Sequence, residues 1–162
     1  MSPIVIIVAV LATIAFFIAI RTVPVSEPAT HGGEPDLAPL TWKPKAQRWS
    51  QTVVFRGGTL EVCLDGNETG PSAEAMGAWL DLRQRLQDQW DSVVDYVIRE
   101  TARVGVQSYE PDEFAATSVD VCPEDPFDGG DIVFWFTIAS ELGTVFYVPL
   151  RDGRPLLLHR DS

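Results

Sequence analysis

The sequence predicts an α+β chain. An N-terminal transmembrane helix is followed by a small ββαββββ domain, in which a mostly antiparallel sheet packs on one long amphipathic helix. Three observations predict it. Residues 72–104 carry apolar side chains at Met76, Trp79, Leu82, Leu86, Trp90, Val93, Val94, Val97 and Ile98. Steps of three and four place these on one side of a helix, opposite Asp81, Arg85, Asp88, Asp95, Arg99 and Arg103. Every later segment reads as a strand able to cover that stripe. The run Pro3 to Ile20 (PIVIIVAVLATIAFFIAI) contains no charge. The expected layout is an anchor over 1–21, a proline-rich linker over 22–48 and an acidic globular domain over 49–162.

The first run spans roughly 27 Å as a helix, at about 1.5 Å per residue, which matches a hydrocarbon core. A cleaved signal peptide would place a basic residue before the run and small residues at a cut site. Here only Met1 and Ser2 precede it, and Ala19-Ile20-Arg21 is a poor cleavage site. The reading is a retained single-pass anchor that meets the membrane through residues 3–20. Arg21 is the one basic residue close to the run, which favours a cytoplasmic C-terminal domain. Pro24, Pro28, Pro35, Pro39 and Pro44 then leave no helical or alternating period, so the stretch reads as an extended tether. Trp42 and Trp49 flank its basic end and are expected to pack at the domain edge.

Within the domain, Gln51–Arg56 and Thr59–Asp65 read as a hairpin around Gly57-Gly58. Leu60, Val62 and Leu64 point to the helix; Glu61, Cys63 and Asp65 point away. Ser72 is the expected N-cap of the helix and Gly105 its stop. So long a span predicts a bend or break near Gln87–Asp91. Four strands follow: Thr117–Cys122, Asp131–Ile138 (apolar on both faces and so central), Thr144–Leu150, and Arg154–Arg160 after an Asp152-Gly153 turn.

Function is bounded mainly by exclusion. Twelve Lys and Arg against 23 Asp and Glu give a net charge of -11. That surface repels phosphate backbones, so no nucleic-acid partner is expected. The acidic loop Cys122–Asp131 (CPEDPFDGGD) lacks the alternating spacing of a calcium loop, and no metal is expected there. Gly57-Gly58 joins two strands rather than a strand and a helix, so no phosphate loop and no cofactor are expected. Cys63 and Cys122 share the polar face of their strands and form a candidate disulfide; the alternative is two free thiols beside acidic neighbours that raise their pKa. His159 on the last strand is no part of a recognisable triad.

The sheet face away from the helix is the best functional lead. Val133, Trp135, Phe146 and Val148, or their alternating partners, offer more apolar surface than one helix covers and form the candidate partner-binding set. The linker, the helix break or a homo-oligomer contact would also cover it. The expected function is a membrane-tethered protein-interaction module, of a form that would suit a neutralising or immunity-type role. The alternatives are a small enzyme with dispersed residues on the sheet face, such as His159 with carboxylates, and a structural accessory subunit of a membrane complex.

Overall fold

The computed structural model describes residues 39–105 and 107–161, together with the backbone of Thr30–His31. The expected anchor, Pro3 to Ile20, lies outside the described residues. Among the described residues no helix is long and apolar enough to cross a membrane.

The strands of the main sheet are β1 (Leu40–Lys43), β2 (Arg48–Phe55), β3 (Gly58–Leu64), β4 (Phe114–Val121), β5 (Ile132–Ile138), β6 (Val145–Arg151), β7 (Arg154–Pro155) and β8 (His159–Asp161). They join in chain order into one sheet, with Thr30–His31 beyond β1 and with both β7 and β8 on β6. Each pairing is antiparallel except β3 with β4. That exception follows from the connection: the chain leaves β3, crosses one face as α1 (Ala73–Gln84) and α2 (Leu86–Val104), and returns beside it as β4. A long helical element packed on a mostly antiparallel sheet is the expected class.

Strand alternation supplies half the core. Leu60, Val62 and Leu64 are all fully buried, as are Val119, Val121, Phe134 and Phe136. The helices supply the other half through Trp79, Leu82, Leu86, Trp90, Val93 and Val97. Ser72 Oγ accepts the Ala75 N–H at 3.0 Å, a cap worth about 1 kcal/mol. Gly105 ends α2 in the left-handed region at φ 69°, where a Cβ would be strained.

Several boundaries differ from the sequence expectation. The helix breaks at Arg85 (φ -125°, ψ 20°), before the Gln87–Asp91 stretch where a break was expected. Its N–H donates to Leu82 O, and its carbonyl still accepts from Gln89 N. The apolar stripe continues through the break, so α1 lies against β3 and β4 while α2 runs on to β7. The first hairpin turns at Arg56-Gly57 (φ 50° and 78°), and Gly58 already belongs to β3. Leu40–Lys43, inside the expected linker, is a strand: it pairs Trp42 with Trp49, whose rings lie 5.8 Å apart. Trp49 is buried and its indole donates to Asn67 O, which ties this edge down as expected for the two tryptophans. The last expected strand, Arg154–Arg160, splits in two. Leu156 N–H bonds Pro149 O and Leu158 packs on the core, so Leu156–Leu158 leaves the ladder before His159 rejoins it.

Candidate functional site

The helix-free face is set by register. Across it, Thr52, Glu61, Ser118, Trp135, Tyr147 and His159 pair in one transverse row from β2 to β8. Ser50, Cys63, Asp120, Val133 and Pro149 form the next row. A bulge between Ala116 and Ser118 shifts the phase of β4. Phe114 and Val121 can then both face the helix, although an odd step separates them, while Asp120 turns to the opposite face.

Three rings stand side by side along the first row. Trp135 and Tyr147 are 4.5 Å apart, and Tyr147 stacks on His159 at 4.4 Å with a 13° interplanar angle. Phe127 closes on Trp135 and Tyr147 at 5.9 and 5.5 Å. It is brought there by a tight turn in the acidic loop. Asp128 and Gly129 both have positive φ, at 48° and 81°, and Gly130 N–H returns to Phe127 O. An Asp-Gly pair meets that demand better than most. Gly130 has no room for a side chain, because a Cβ would sit 2.6 Å from Pro149 Cβ.

Two carboxylates bracket the rings. Asp128 Oδ2 accepts the Tyr147 hydroxyl at 2.8 Å and lies 3.2 Å from His159 Nε2 without hydrogen-bond geometry. The Tyr147 hydroxyl is pushed above its ordinary pKa by burial and by that bond to Asp128. Asp120 Oδ2 accepts both Arg48 Nη1 at 2.7 Å and Trp135 Nε1 at 3.0 Å. Burial works against the Arg48 charge, and the Asp120 carboxylate outweighs it, leaving the guanidinium above its ordinary pKa. Asp65 is pushed up by burial, with Asp125, Asp120 and Glu124 adding to the shift against Arg48.

The expected partner-binding set divides between the two faces. Trp135 is half-buried on the helix-free face, as expected. Val133 shares that face but is fully buried. Phe146 and Val148 are 5 and 0 % exposed and pair with Phe136 and Phe134. They belong to the core beneath the helix, where Trp90 packs on Phe134 and Phe136. The true neighbours of Trp135 are Tyr147, Phe127 and Asp120, with His159 stacked on the far side of Tyr147. Tyr147 had a readable signal: in Val145–Arg151 it alternates with Phe146, Val148 and Leu150, so a core formed by those three leaves it outside.

Cys63 and Cys122 are both free. Register pairs Cys63 with Asp120, so Cys122 lies one strand over and two residues on. A lateral step of about 4.8 Å and an axial step of about 6.6 Å put the Cα atoms roughly 8 Å apart. That exceeds the ~7 Å a disulfide spans. Burial, and then the negative charges of Asp120 and Glu61, push the Cys63 thiol up to about 12. The thiolate is the nucleophile. Iodoacetamide at pH 8 should therefore alkylate Cys63 in the folded chain at least about 100-fold more slowly than in urea, as read by peptide mass spectrometry. Equal rates would show that the thiol is not held by this site. The same shift makes the fold less stable in alkali: as pH rises from the ordinary thiol range towards about 12, the unfolded chain ionises first.

Among the described residues no group of three or more His, Cys, Asp or Glu is arranged to hold a metal ion. A cavity of about 600 Å³ lies away from the ring row, lined by Tyr96, Glu100, Val104 and Leu156–Leu158. No family model, no curated protein and no solved structure matches this chain.

Proposed function

We propose that the domain is a protein-interaction module that docks its partner on the helix-free face, with Pro3 to Ile20 holding it at a membrane. The observation that carries the docking reading is the row Trp135–Tyr147–His159, three rings in contact and only half covered, with Phe127 beside them at 37 % exposure. Aromatic side chains supply large contact area with little side-chain entropy to lose, which is why they anchor interfaces. The flanking carboxylates hold the rings in place, so the surface is organised before a partner arrives. Arg21 favours a cytoplasmic domain, and free thiols at Cys63 and Cys122 suit that compartment.

The test is a photocrosslinker, p-benzoylphenylalanine, in place of Phe127 in the full chain in its native cells. The control carries it in place of Asp95, on the solvent face of α2. A discrete protein adduct from position 127 that is missing from position 95 is the expected result. No adduct at 127, or the same adducts from both positions, would overturn the reading.

An acid–base site is the second reading, favoured by Asp128 touching both Tyr147 and His159 from a left-handed backbone. One Asp128 oxygen serves both neighbours and His159 lies flat on Tyr147, an arrangement that holds rings more than it frees a base. Loss of a measured turnover in His159→Gln with folding intact would be needed to raise it.

A further inference from the structure

We infer that the segment seated on the helix-free face is basic and presents arginine or lysine to the ring row. This rests on the docking reading and adds the chemistry of the partner. Rings and carboxylates alternate on this face: Trp135 and Tyr147 lie between Asp120 on one side and Asp128 on the other. Burial, and then the charges of Asp125, Asp120 and Glu124, hold the Asp65 carboxyl up against Arg48, so these carboxylates gather near the acidic loop. The Arg48 cation is already held by Asp120. Both contacts to Asp128 use Oδ2, and its side chain remains 41 % exposed. Among the described residues no hydrogen bond engages Oδ1, which leaves an acceptor at the edge of the Tyr147 ring.

A guanidinium over Trp135 or Tyr147 gains from the ring quadrupole and can donate to that carboxylate at the same time. Charge selects against the other occupants. A second copy of a chain with net charge -11 brings carboxylates against carboxylates. Anionic lipid and nucleic acid meet the same repulsion.

The experiment titrates detergent-solubilised full-length chain with hexaarginine amide and, separately, hexaglutamate amide. The Trp135 indole N–H signal is followed by NMR, assigned through Trp135→Phe. Hexaarginine should shift that signal with an affinity that falls as salt rises; hexaglutamate should not. The triple variant Glu124→Gln, Asp125→Asn, Asp128→Asn should weaken binding about 10-fold or more, while Asp88→Asn with Asp95→Asn on the helix face should change it less than about 2-fold. Asn tolerates the left-handed backbone at position 128, so the turn survives the change. Equal weakening by both sets would mean a generic polyanion effect and would overturn the inference. If position 127 captures a partner while hexaarginine leaves Trp135 unmoved, the cation reading falls and the docking reading stands. If position 127 captures nothing, the docking reading falls first.

Discussion

Trp90→Ala is expected to destabilise the domain by ~3–5 kcal/mol, the usual cost of emptying a large aromatic site in a core. Trp90 is fully buried and central to the helix–sheet contact: Phe55, Phe134 and Phe136 surround it at centroid distances of 6.4, 5.9 and 5.9 Å. These rings sit on rigid strands and cannot all collapse into the space. A domain of this size is typically stable by ~5–15 kcal/mol, so the variant should lose a large share of its denaturation midpoint or fail to fold. Trp90→Phe separates packing from polarity. The Trp90 indole Nε1 is buried with no hydrogen-bond partner among the described residues. Phenylalanine removes that unpaired donor while keeping most of the ring, and should cost less than about 2 kcal/mol. Urea denaturation of both variants checks the pair. A cost below about 1 kcal/mol for Trp90→Ala would mean that α2 does not pack on β5 through this residue.

The same residue shows what is legible in the sequence. The stripe through Trp79, Leu82, Leu86, Trp90 and Val97 predicts the buried face of the helices, and each of these side chains is buried. Hydrophobic period survives where one side of an element meets a single neighbour. It says nothing of the break at Arg85, since that turn costs the stripe no phase and carries neither proline nor glycine; nothing in the local sequence explains it. The face of β5 was harder, because Val133 and Trp135 are as apolar as Phe134 and Phe136. Only pairing with β6 settles it: Phe136 meets Phe146 beneath the helix and Trp135 meets Tyr147 on the other side. A strand buried on both faces erases the alternation that would have declared its register. The polar half of the candidate site was further out of reach. Arg48 and Asp120 are 72 residues apart, and a bulge in β4 decides which way Asp120 turns.

That carboxylate carries the second large effect. Asp120→Ala is expected to cost about 3 kcal/mol. The Asp120 side chain is 12 % exposed and accepts from Arg48 and Trp135 together. Deleting it leaves the half-buried Trp135 indole N–H without its acceptor and a guanidinium without its counter-charge. The guanidinium is the smaller loss, because the Arg48 side chain is 33 % exposed and water can reach it. Asp120→Asn keeps an acceptor for Trp135 and should recover at least about 1 kcal/mol of the loss. In a double-mutant cycle, Arg48→Met with Asp120→Ala should cost less than the sum of the single changes, since neither partner is then stranded. A second readout is independent of stability. Negative charge on Asp120 follows burial among the causes that hold the Cys63 thiol up. Asp120→Asn should therefore lower that pKa and speed Cys63 alkylation at pH 8, while Glu113→Gln, at the Ala139 end of the sheet, should leave the rate unchanged. An unchanged alkylation rate in Asp120→Asn would mean that burial alone protects the thiol, and that Cys63, Asp120, Arg48 and Trp135 are not one electrostatic unit.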